Sequence, residues 1–286
     1  MQQFQPFSLN LKGRLLEADR PLVMGILNVT PDSFYDGSRS FDADTVSRRV
    51  EQMVVEGADI IDIGAYSSRP GADDVSIDEE LKRLNMGMTI VRRITPDITV
   101  SVDTFRARVA RVAVNEMDAN IINDISGGDL DPDMFDTVAE LAVPYVLMHM
   151  RGTPATMQSM TDYNDVTADV ITDLSVKLNR LNLAGAADVI IDPGFGFSKT
   201  LDDNYRLMES LPTFGEAFPG RPLLVGVSRK SMLTRLLGIA PDDALNATTA
   251  LNTIAMTLGA SILRVHDVKA CVEAVKVASR FINAHP

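Results

Sequence analysis

Eight short apolar runs recur along the chain, and between them apolar residues return at every third or fourth position. The runs are PLVMGILNV (21–29), DIIDIGAYS (59–67), ITVSVDT (98–104), ANIINDIS (119–126), PYVLMHM (144–150), DVIIDPGFG (188–196), PLLVGVS (222–228) and SILRVHDV (261–268). Most are nearly unbroken in Val, Ile, Leu and Met, as expected of parallel strands covered on both faces. The intervening stretches, such as DADTVSRRVEQMVVEGA and IDEELKRLNMGMTIVRRI, have the spacing of amphipathic helices. Several of them stop at Gly or Asn just before the next run, as helices do. Eight strands alternating with helices predict an α/β fold, a (β/α)8 TIM barrel. An open doubly wound sheet is the competitor, but the first strand-to-helix turn has no G-x-G-x-x-G. FSLNLKGRLLEA (7–18) predicts a hairpin capping the barrel bottom. The segment between the seventh and eighth runs is long enough for two helices, SRKSMLTRLLG and DDALNATTALNTIAMTLGA, one more than the barrel requires. The expected organisation is one domain over 1–286, with 1–20 as the hairpin extension.

The pattern changes at the end of each run. The first ends at Asn28, the second holds Asp62 and leads to Ser68 and Arg69, and the third ends at Asp103. The fourth ends at Asn123 and Asp124, the fifth reaches His149, and the sixth carries Asp192. The seventh runs into Ser228, Arg229 and Lys230, and the eighth holds Arg264 and His266. These are C-terminal strand ends, the rim on which this fold builds active sites. Asp62 and Asp124 also suit loop capping, and His149 suits a buried, hydrogen-bonded histidine. Unpaired carboxylates are costly to bury, so Asp103 and Asp192 call for partners or a ligand. With Asn123 they suit a flat heterocycle rich in N–H donors and ring acceptors. Arg69, Lys230, Arg264 and His266 form a basic group on another part of the rim, suited to phosphate or carboxylate. After Asn28 the chain runs through TPDSFYDG, a loop of turn formers, acids and aromatics.

Composition limits the partners. The formal net charge is −12, which argues against nucleic acid and anionic membrane surfaces and requires local cations for any anionic substrate. No apolar stretch approaches the ~18 residues of a membrane span, and the start has no secretory pattern. With a single cysteine, Cys271, no internal disulfide forms, and the expected location is the cytoplasm.

The motifs MGILNVTPDSFYDG, IIDIGAYSSRPGA, SVDTFRARVA, INDISGG, VLMHMRGTP, IIDPGFGFSK, VGVSRKSM and RVHDV follow in this order. Through them the chain resembles the dihydropteroate synthase family from about residue 20 onward. The resemblance implies a pterin-binding barrel, usually a homodimer. It implies a transferase of folate biosynthesis that joins 6-hydroxymethyl-7,8-dihydropterin pyrophosphate to para-aminobenzoate with magnesium assistance, and a sulfonamide target. Carried over by motif, Asp103, Asn123, Asp192 and Lys230 match the pterin pocket, and Asn28, Arg264 and His266 the pyrophosphate and metal site. Phe34 and Asp36 match the first mobile loop, with Asp36 beside Asn28 at the Mg²⁺. Ser68, Arg69 and Pro70 match the second loop, and Phe197, Lys230 and Ser231 the aminobenzoate surroundings. The expected catalytic group is Asp36, Arg69, Lys230, Arg264 and His266. Two departures stand out: the family's common ESTRPG is YSSRPG here, and its DPGFGFGK is DPGFGFSK, with Ser198 for glycine. The alternatives are a pterin-binding methyltetrahydrofolate methyltransferase and a non-catalytic pterin-binding paralogue.

Overall fold

The computed structural model describes residues 4–30, 43–66 and 75–282. The hairpin is β1 (Phe7–Leu11) and β2 (Arg14–Ala18), joined by a tight turn at Lys12 and Gly13. The barrel strands are β3 (Leu22–Asn28), β4 (Ile60–Gly64), β5 (Thr99–Asp103), β6 (Ile121–Asp124), β7 (Tyr145–Met148), β8 (Val189–Asp192), β9 (Leu224–Val225) and β10 (Ile262–Val265). All eight are parallel, in the order β8-β7-β6-β5-β4-β3-β10-β9, and one bridge, Ile191 to Leu223, joins the two ends of the ring.

The helices outside the barrel are α1 (Ala43–Glu56), α2 (Ile77–Ile94), α3 (Ala107–Glu116), α4 (Met134–Leu141), α5 (Val166–Ala184), α6 (Leu201–Glu209), α7 (Leu211–Ala217), α8 (Ser231–Leu237), α9 (Leu245–Thr257) and α10 (Val268–Ile282). Their boundaries follow local chemistry. Ser76 caps α2 by accepting from the Glu79 N–H, and Thr200 and Asp203 cap α6 reciprocally. The segment after β8 divides into α6 and α7 because Pro212, at the start of α7, has no N–H to continue the first helix. The two helices expected between the last two barrel strands are α8 and α9.

Side chains alternate in and out along each strand. Outward residues such as Val23, Ile61, Val100, Ile122, Leu147, Ile191, Val225 and Leu263 form the main core against the helices. Inward residues Met24, Ile60, Ile121, Val146, Ile190, Leu224 and Ile262 form a second apolar layer, closed from below by Leu9, Leu11 and Ala18 of the hairpin. The seventh run gives only a two-residue strand, because the chain turns at Val227, whose carbonyl accepts from the Lys230 N–H. That early turn brings Lys230 to the barrel rim.

Candidate active site

Two residues beyond the apolar layer, the same inward face turns polar. The positions are Asp62 after Ile60, Asn123 after Ile121, Asp192 after Ile190 and Arg264 after Ile262, while Ile26 on β3, Met148 on β7 and Gly226 just past β9 hold the same step without a polar side chain. A period of two puts all of them inside the barrel at its C-terminal end.

Arg264 is the centre. Its Nε donates to Asp62 Oδ2 at 2.7 Å and its Nη2 to Asp103 Oδ2 at 2.8 Å. Asn123 Nδ2 donates to the same Asp62 oxygen at 3.1 Å. Asp62 is fully buried, yet its Oδ1 has no hydrogen-bond partner among the described residues, and neither does Ser101 Oγ, its neighbour on β5. Three of the five guanidinium N–H groups of Arg264 remain uncommitted among the described residues. The sequence separates an acidic heterocycle side from a basic anion side. The structure instead joins them through Arg264, which pairs with both carboxylates. Burial raises the Asp103 carboxyl to about 7 against the opposing pull of Arg264. Arg264 itself is raised, because the two carboxylates outweigh the burial that lowers it.

Asn28, Gly64, Asp103 and Asn123 lie side by side across β3 to β6. A side chain on Gly64 would begin 3.5 Å from Asn28 Oδ1 and 3.6 Å from Asp103 Cβ, so the missing side chain leaves space between them. The Asn28 side chain makes no hydrogen bond among the described residues. Its neutral oxygen fits a hard cation such as Mg²⁺, which retains waters and phosphate oxygens as its other ligands. No cluster of three or more His, Cys, Asp or Glu capable of holding a metal occurs among the described residues.

Opposite this group, Asp192 Oδ1 accepts from the Gly194 N–H at 2.7 Å, and burial raises its carboxyl. Lys230 immediately precedes α8, its side chain free of any capping bond to the helix, with Ser231 as the first helical residue. The Lys230 ammonium donates to the Phe195 carbonyl and sits 4.4 Å from the centre of the Phe197 ring. Gly196 leaves its stem room, since a Cβ there would come within 2.9 Å of Lys230 Cδ. Burial lowers the ammonium to about 8. His266 lies at the β10 end, where Ser228 Oγ accepts from its main-chain N–H and lies 3.0 Å from ring Nδ1. The serine hydroxyl, with one proton and two lone pairs, anchors both the main chain and the ring of His266. Burial and the neighbouring Arg264 lower the imidazole to about 3, so it is neutral. Arg229 turns away, held by Asp267 and Asp242.

Asp124 proves to be a loop cap. It accepts from Ser126 N–H and Oγ, Gly128 N–H and Tyr145 OH, and leaves nothing for a ligand. His149 is a buried histidine hydrogen-bonded to Lys199. Ser198 has a left-handed φ of 48°; its hydroxyl accepts from Arg151 N–H and donates to the Phe197 carbonyl. The sequence singles out neither Lys199 nor the apolar wall of Ile125, Met148, Met150 and Met157 that packs against Phe105 and Phe197. A second unflagged group flanks residues 67–74. Arg106 donates to the Val75 carbonyl and to fully buried Glu80, with its guanidinium 5.4 Å from the centre of the Tyr66 ring. Phe34, Asp36, Ser68, Arg69 and Pro70 lie outside the described residues.

A family model described as pterin binding enzyme matches residues 24–266. Dihydropteroate synthase of Escherichia coli K12 is 42% identical over 277 residues, covering 96% of each chain. A mitochondrial folate synthesis bifunctional protein of Arabidopsis thaliana is 44% identical over 91% of this chain, which spans 50% of that relative's length. Among solved structures, Xanthomonas albilineans dihydropteroate synthase with 4-aminobenzoic acid superposes with a TM-score of 0.89, at 39% identity, over 99% of this chain and 100% of that one. The polar rim, the family model and the near full-length match to the Escherichia coli and Xanthomonas albilineans proteins agree: the chain belongs to the pterin-binding enzymes, in their dihydropteroate synthase family.

Proposed function

We propose that this chain condenses 6-hydroxymethyl-7,8-dihydropterin pyrophosphate with para-aminobenzoate to give 7,8-dihydropteroate and pyrophosphate. The observation that carries the reading is the inward polar layer, in which Asp62, Asp103, Asn123 and Asp192 surround Arg264 above an apolar barrel floor. Carboxylates and a carboxamide on one cavity suit the N–H-rich edge of a pterin. Arg264 retains N–H groups with which to hold the departing pyrophosphate, and His266, neutral and anchored by Ser228, stands beside it. The C–O bond at the pterin methylene breaks with its electrons going to pyrophosphate. The aminobenzoate nitrogen forms the new C–N bond and then loses a proton. Phe197, Lys230 and Ser231 are assigned to the amine substrate and Asn123 and Asp192 to the pterin, with Phe34, Asp36, Ser68, Arg69 and Pro70 assigned roles in the same reaction.

Asn28 and Asp36 are the residues that would hold Mg²⁺, which supplies charge neutralisation at the leaving group. We also assign the protein to the cytoplasm and to a homodimer. No helix among the described residues is long and apolar enough to cross a membrane. Leu236, Leu237, Leu245 and Ile254 on α8 and α9 are exposed, which favours a contact with a second copy.

The test is to supply both substrates and follow pyrophosphate and dihydropteroate. Stoichiometric release of both is expected, with sulfonamides competing against aminobenzoate. Pterin binding without pyrophosphate release would favour the methyltransferase or non-catalytic reading.

A further inference from the structure

Lys199 follows the turn after β8 and reaches back beneath it. Its nitrogen lies 3.0 Å from the Gly194 carbonyl, 2.9 Å from the Phe197 carbonyl and 3.0 Å from His149 Nδ1. An ammonium has three N–H groups and no lone pair, so these three acceptors saturate it. Since Nζ only donates in this form, His149 Nδ1 accepts and the ring proton sits on Nε2. A neutral amine has only two N–H groups, so one donated bond and the charge are lost, and the His149 contact survives only if the ring proton moves to Nδ1 and is donated to the amine lone pair. Lys199 is 5% exposed, so water cannot readily replace the lost bond.

The same turn presses on β7 from another direction. The His149 N–H donates to the Asp192 carbonyl at 3.1 Å. Gly194 has a φ of +75°, and a Cβ there would stand 1.9 Å from the His149 carbonyl. The backbone can approach β7 this closely only through glycine, and Lys199 ties both Gly194 and Phe197 in place. The turn in question presents the Phe197 ring to the Lys230 ammonium.

We propose that Lys199, with His149 as its acceptor, is a positioning residue for the aminobenzoate half of the site, fixing the Phe197 ring against Lys230. The identity of that ligand rests on the dihydropteroate synthase reading. The charged groups facing Lys199 are Asp192 of β8, Lys230 beyond β9, Arg151 beyond β7 and Asp203 of α6, while Lys177 of α5 acts on His149. Burial, with Lys230 and Arg151, lowers the Lys199 ammonium to about 7 against the pull of Asp192 and Asp203. The clamp is therefore complete below that pH and loses a donor above it.

Lys199→Met removes the charge with little change in length. Kinetics from about pH 6 to about pH 9, with calorimetry of pterin binding, read the effect. At the acid end the aminobenzoate KM should rise about tenfold or more, the worth of one charged hydrogen bond. Turnover and pterin affinity should stay within about twofold. At the alkaline end the gap should narrow without closing, because the wild-type amine has lost its charge but keeps two N–H groups for the Gly194 and Phe197 carbonyls. Lys199→Arg, cationic throughout, should recover part of the acid-side loss. A uniform loss at every pH, or an unchanged aminobenzoate KM at the acid end, overturns the proposal. If Lys199→Met does not fold, His149→Leu decides: it must raise the same KM without weakening pterin binding, and no change overturns the proposal. Wild-type protein that releases no pyrophosphate from the two substrates would defeat the functional reading instead, before any variant is compared.

Discussion

Ser198 stands where the family commonly has glycine, in a backbone conformation that costs an L-residue roughly 1–2 kcal/mol. Its hydroxyl offsets that cost by satisfying the Arg151 N–H at 3.0 Å and bonding the Phe197 carbonyl at 2.8 Å. Ser198→Ala keeps the strained φ and loses both bonds, so it should destabilise by about 1–3 kcal/mol. Ser198→Gly loses the same bonds but relieves the strain, so it should recover roughly 1 kcal/mol of that loss. Urea unfolding of the two variants checks the order, and equal losses would remove strain from the account. Titration at the rim has a definite sign too. Asp103 must be ionised to accept from the pterin, so kcat/KM for the pterin substrate should rise as pH passes about 7. Lys230 must keep its proton, so the same quantity should fall above about 8. His266, neutral above about 3, adds no limb in this range. The limbs belong to the coupled cluster as a whole, and a pH profile flat between them and beyond would contradict the assignment.

Between strands, Asp62 does most of the joining. From β4 it reaches Arg264 on β10 and Asn123 on β6, and through Arg264 it meets Asp103 on β5. Asp62→Ala should therefore cost roughly 3–5 kcal/mol, the penalty for leaving a buried charge pair broken. A denaturant midpoint corresponding to less than about 1 kcal/mol would mean Asp103 alone suffices for Arg264. The strand ends that form this network are legible in the sequence, because an apolar run that turns polar every second residue has only one place to put those groups. The pairing itself is not legible: Arg264 lies 202 residues from Asp62 and 161 from Asp103, and nothing local says which carboxylate it meets. Lys199 escapes notice for a related reason, since a lysine after GFS reads as a solvated loop residue until the turn folds back over it. The seventh run overstates its strand because Gly226 and the turn at Val227 end the ladder without a visible break in apolar composition.

Across the whole molecule, the barrel and its hairpin follow from pattern alone, whereas the chemistry of the rim depends on groups brought together from every strand. The hairpin has a consequence for how the chain is made. Its docking surface consists of Met24, Ile60, Ile121, Val146, Ile190, Leu224 and Ile262, spread over nearly all of the sequence. During translation β1 and β2 leave the ribosome before every barrel strand, yet the floor they cover is incomplete until Ile262 has emerged. At about 5–20 residues per second that wait is tens of seconds. Leu9 and Leu11 spend it without their final partners, in reach of any chaperone that binds short apolar strands. The hairpin, made ahead of the barrel, is thus among the last of these elements to settle, and the barrel is sealed from below only when its eighth strand is in place.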